Sequence, residues 1–112
     1  MYPGEALTGL DLVQTITLDE YLDSQRLPMP DLIKLDVEGA ELKALDGAKK
    51  ALVHAKYAIL EVSFVERHLG QPIFHDVIDF MASHSFHLHA FPHDLPLGLP
   101  VMSCDLLFAK RP

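Results

Sequence analysis

Cysteine is almost missing from this chain. Cys104 is the single one among 112 residues, which excludes an internal disulfide and any metal site built from several thiolates. Glycine is sparse, and its six positions form no Gly-x-Gly pattern, so no glycine-rich phosphate loop is present in these residues. No apolar run approaches the roughly 18 residues of a membrane span, and no basic-then-apolar segment opens the chain. A soluble, cytoplasmic protein with no membrane partner is the expectation. Positive charge is scarce as well: 9 Lys and Arg stand against 16 Asp and Glu, giving a formal charge of -7 and a pI near 5.3. A basic stripe is what captures nucleic acid or an anionic lipid surface, so both are poor partners for this chain.

What is present points to a folded domain. Hydrophobic residues make up 49% of the chain and are spread along it, with mean hydropathy +0.16, and residues 1–112 are read as a single domain with one core. The opening MYPGEALTGL has no period and reads as loop. Leu12 to Thr17 is rich in β-branched residues and suggests a short strand. Thr17, with Glu20 three residues on, offers an N-cap for a helix over Leu18 to Leu22, which Pro28 and Pro30 keep short. Leu32 to Val37 is a compact apolar run, the pattern of a parallel strand buried on both faces. After Gly39 the period changes to that of a helix carrying Leu42, Leu45, Ala48 and Leu52, which Gly47 either splits or caps. Tyr57 to Phe64 is a second buried strand, Phe74 to about Ser85 a further amphipathic helix, and Phe86 to Phe91 and Cys104 to Lys110 the last two strands.

Strand, helix and strand in about 35 residues form a right-handed βαβ unit that brings the carboxyl ends of its strands to one edge. Asp36, Glu38 and Glu61 gather there. Asp36 lies where open α/β sheets bind ligands, yet an Asp before a helix also serves as an N-cap. Glu38 is placed to act as a general base toward a hydroxyl, or to stabilise a helix N-terminus by its charge alone. Glu61, a carboxylate in an apolar strand, must face the site edge or pair with Lys34 of the neighbouring strand. Glu41 reads as an exposed first-turn charge, and Cys104 as a small hydrophobe. Seven histidines lack any HExxH or Cys-His spacing, so no metal site is assigned to them.

The run Ile33-Lys34-Leu35-Asp36-Val37-Glu38-Gly39-Ala40-Glu41, set between TITLDEYL and AILEVSF, resembles the C-terminal half of the FkbM family of S-adenosylmethionine-dependent methyltransferases. Leu18-Asp19, Leu45, Gly47, Glu61-Val62 and Asp105-Leu106-Leu107-Phe108 extend the resemblance over about residues 13 to 110. Ser85-Phe86 stands where the family often has Gly-Tyr. The resemblance implies a partial Rossmann-like methyltransferase sheet: strands four to seven of the fold, a preceding short strand, flanking helices, and a last strand antiparallel to the others. It implies S-adenosylmethionine as cofactor, with Asp36 binding it, Asp36 and Glu38 catalytic, Glu61 holding the acceptor, and O-methyl transfer to a small-molecule or sugar hydroxyl. The glycine-rich turn that holds such a cofactor has no counterpart here, so a truncated and inactive portion is expected, pairing as a homodimer through an exposed sheet edge. A non-catalytic dimerisation or binding module that keeps the sheet is the alternative. A divalent cation at Asp36, Glu38 and Glu61 is a third.

Overall fold

The computed structural model describes residues 12–37, 39–95, 98 and 100–112. Its elements run α1 (Leu18–Ser24), β1 (Leu32–Leu35), α2 (Glu41–Asp46), α3 (Lys49–His54), β2 (Tyr57–Ser63), α4 (Phe74–Ser83), β3 (Phe86–Ala90) and β4 (Ser103–Lys110). The four strands form one sheet in the order β1-β2-β4-β3. β1 and β2 are parallel, and β4 lies between β2 and β3, antiparallel to both. The chain is thus a mixed α/β domain with a four-stranded sheet and flanking helices.

All four helices contribute to one core against one face of the sheet. Ile33, Ala58, Leu60, Val62, Phe86, Leu106 and Phe108 point from the strands into a cluster closed by Leu22, Leu45, Leu52, Val77 and Met81. The alternate residues of β1 and β2 face outward: Leu32 is 51% and Tyr57 46% exposed, and Lys34 is exposed with them. The expectation that the Leu32 to Val37 strand is buried on both faces is therefore corrected. Its hydrophobicity exceeds what one layer of helices covers. The expected strand over Leu12 to Thr17 is also absent, since Leu12 and Val13 are 100% and 79% exposed and the segment joins no ladder. A strand needs a neighbour to satisfy its backbone groups, and β-branched composition cannot supply one.

Gly47 both splits and caps the helix expected after Gly39. It ends α2, and a β-carbon on it would meet Thr17 Cβ at 2.9 Å. That close approach brings α1 against the α2–α3 turn. There Thr17 Oγ1 accepts the Glu20 N–H at 3.1 Å, while the Asp19 carboxylate accepts the N–H groups of Lys50 and Ala51 at 2.8 and 3.1 Å. One short motif, TLDE, thus caps its own helix and, across 31 residues of sequence, the start of α3. The C-terminal end of α3 is closed from β4, where Lys110 Nζ donates to the carbonyls of Leu52 and Val53.

Candidate active site

The carboxyl end of β1 delivers Asp36, exposed, just beyond the last paired residue Leu35. Register fixes its surroundings. Leu35 pairs with Leu60 and Glu61 pairs with Asp105, so Asp36, Glu61 and Asp105 occupy one row across β1, β2 and β4 on the uncovered face. Lys34 stands opposite Ile59. The reading of Glu61 as its ion-pair partner is therefore not realised, and Glu61 turns to the site edge and to Asp36.

Three carboxylates in a row cannot all stay ionised at no cost. The Glu61 carboxyl is raised above its ordinary value of 4.5: a hydrogen bond with Asp36 contributes most, burial next, and repulsion from Asp36, Asp105 and Glu41 adds to it. In chemical terms, Glu61 keeps its proton to higher pH than a free carboxyl does. A carboxyl pair of this kind can take up a proton from an incoming hydroxyl and can attract a cation.

Asp36 does not cap α2, whose N-cap position is Ala40 with no side-chain bond. Glu41 closes the turn instead. It is 6% exposed, and its two carboxylate oxygens accept the N–H groups of Val37 and Gly39 at 3.3 and 3.0 Å. The expectation of an exposed first-turn charge is corrected: the side chain folds back because the tight turn leaves two donors that need acceptors. Gly39 itself has φ +94, and a β-carbon there would lie 3.3 Å from Gln71. Both conditions select glycine. Glu38, the other expected catalytic residue, lies outside the described residues.

The segment after β2 forms the second wall. Gln71 Nε2 donates to Ser63 Oγ at 3.0 Å, and Gln71 Oε1 accepts from the N–H groups of Arg67 and His68 at 2.9 and 3.3 Å. Arg67 Nη2 donates to Ser103 Oγ at 3.1 Å, and Ser63 and Ser103 are cross-strand partners. Between this segment and the β1–α2 turn lies a cleft of about 260 Å³, with Glu61, Ser63, Arg67 and His68 on its walls. A neighbouring hollow of about 410 Å³ lies over Ala40, Leu42 and Lys43 and shares Gly39, His68 and Gln71 with it. Sequence reading had no signal for Gln71 or Arg67, because their positions are set by one irregular segment reaching back over the sheet edge.

His87 and His89 have ring centroids 6.1 Å apart, and His87 Nδ1 is buried without a partner. Among the described residues no group of three or more His, Cys, Asp or Glu side chains is placed to hold a metal ion, and no helix is long and apolar enough to cross a membrane. Cys104 is half-buried against the core, its thiol pushed up by burial and by the charge of Asp105.

Comparison with known proteins adds an independent line. Residues 6–88 match the model of the methyltransferase FkbM domain. The hexuronic acid methyltransferase AglP of Haloferax volcanii is 40% identical over 54 residues, 48% of this chain and 23% of that protein. The matched stretch therefore spans about a quarter of that relative's length. No solved structure matches the chain.

Proposed function

The chain belongs to the methyltransferase FkbM family, and we propose that it serves S-adenosylmethionine-dependent O-methyl transfer to a hydroxyl of a small molecule or sugar. The observation that carries this reading is the Asp36–Glu61 pair at the carboxyl edge of two parallel strands. Open α/β sheets bind ligands at that edge. The strand order β1-β2-β4-β3, with β4 reversed, supports taking these strands as the fourth to seventh of a Rossmann-like methyltransferase sheet.

The charge of the cofactor fits the donor set. Asp36, with Glu61 beside it, offers negative charge to a cationic ligand, and the adjoining hollow of about 410 Å³ is within the usual range of small-ligand pockets, about 300 to 1,000 Å³. When bound, S-adenosylmethionine supplies a methyl group on positively charged sulfur. The chain's own residues have three tasks. Asp36 attracts the positive charge by Coulomb attraction at a partly shielded edge. The Asp36–Glu61 pair accepts the proton that the acceptor hydroxyl gives up, with Glu61 bearing directly on that acceptor. The Arg67–Gln71 wall holds the acceptor and limits water, so that orientation supplies much of the rate.

Calorimetric titration with S-adenosylhomocysteine tests this reading. Binding tighter than about 100 μM, roughly -5.5 kcal/mol, weakened at least about tenfold by Asp36→Asn, supports a working cofactor pocket in these residues despite the missing glycine-rich turn. A second reading, a non-catalytic dimerisation or binding module, draws on the uncovered sheet face with its exposed Leu32 and Tyr57. No heat at millimolar ligand favours a portion without its cofactor half, or the module, and contradicts a cofactor pocket built by these residues alone.

A further inference from the structure

Arg67 is anchored, charged and, among the described residues, without a carboxylate partner. Its backbone N–H is held by Gln71 Oε1 at 2.9 Å and its Nη2 by Ser103 Oγ at 3.1 Å, while Gln71 is itself tied to Ser63 of β2. These bonds fix the guanidinium relative to β2 and β4, and so relative to Glu61. The ion pairs among the described residues use Asp46, Asp31 and Asp76, and none involves Arg67. Among the described residues lining the cleft that holds Glu61 and Glu41, Arg67 is the only arginine or lysine.

The guanidinium has five N–H donors in a planar fork, and one hydrogen bond to Ser103 leaves most of them for a ligand. That fork matches a carboxylate two-pronged, which a lysine ammonium does not. Its anchorage lowers the entropy lost when a ligand is held.

We propose that Arg67 is the specificity residue for an acidic acceptor: its fork takes the carboxylate of a sugar acid in the cleft, turning a hydroxyl of the same molecule toward Asp36 and Glu61. What then happens to that hydroxyl rests on the methyltransferase reading; the recognition itself does not. His68 stands beside Arg67 on the same wall, its N–H also held by Gln71, and shapes the pocket around the sugar ring.

Amide NMR titrations of the whole chain with D-glucuronate, D-glucose and acetate test it. Glucuronate is expected to shift the signals of Ser63 and residues 66–71 saturably, with glucose and acetate each at least about tenfold weaker. Arg67→Ala is expected to weaken glucuronate by a similar factor while signals across β1 to β4 keep their positions. Arg67→Lys retains part of the affinity, and Ser103→Ala, which frees the guanidinium, falls between it and the wild type. Equal response to glucose, equal response to acetate, or unchanged glucuronate affinity in a folded Arg67→Ala variant overturns the assignment. Glucuronate recognition that persists in a chain failing to bind S-adenosylhomocysteine supports the assignment and removes the methyltransferase reading alone.

Discussion

At the scale of single residues, the site is a matter of which charges are satisfied. Glu41 is buried and fully employed in the turn, whereas the Glu61 carboxyl is raised by its neighbour Asp36. Sequence alone put Glu61 at the site edge but read Glu41 as an exposed first-turn charge, because a buried carboxylate that accepts two N–H groups looks, in a string of letters, like any helix-start glutamate. The raised Glu61 carboxyl has a measurable consequence for stability. A carboxyl that holds its proton more tightly folded than unfolded means that the native state binds more protons just above pH 4.5, so stability falls as pH rises through that window. Glu61→Gln removes the titration and keeps a donor for Asp36. Its thermal midpoint minus that of the wild type should grow as pH rises from 4.5 and then level off. A difference that does not vary with pH means that Glu61 titrates alike in both states.

At the scale of elements, short helices survive because other elements cap them. α3 has six residues, far too few to be stable alone, and its N-terminal donors are met by Asp19 from α1. Asp19→Ala should cost about 0.5–2 kcal/mol, read as a lower midpoint in urea at unchanged slope. Loss of slope instead would point to a disrupted native state. The turn before β3 carries a strain of its own. Ser85 has φ +67, in the left-handed region, just before the fully buried Phe86. Ser85→Gly relieves that strain at some cost in unfolded-chain entropy, for a net gain of about 0.5–1 kcal/mol; a midpoint that falls would contradict this. The periodicity of apolar residues made four strands and the α4 helix readable. It could not reveal the Asp19 contact, which joins residues 31 apart, nor the close approach of Thr17 to Gly47, whose break the glycine itself announced.

At the scale of the whole molecule, helices among the described residues cover one face of the sheet and leave the other without one. The expected parallel strand pair and reversed last strand are both present, while the expected two-sided burial and the strand before α1 are not. Pattern gives the strand but not what covers it: Leu32 and Tyr57 read as core residues and stand exposed. We propose that short edge strand β1 and this open face pair with a second copy. Sedimentation is expected to show dimers at tens of micromolar; a monomer throughout that range contradicts pairing through the sheet.

The proposed chemistry depends on Asp36 acting on the Glu61 carboxyl beside it. Carbon-detected NMR titration of the Glu61 side-chain carboxyl, in the wild type and in Asp36→Asn, measures it directly. Glu61 titrating above 4.5 in the wild type and moving back toward that value in Asp36→Asn is the expected result. Glu61 titrating at an ordinary value in both proteins would contradict it, leaving the edge of the sheet as a row of independent surface charges.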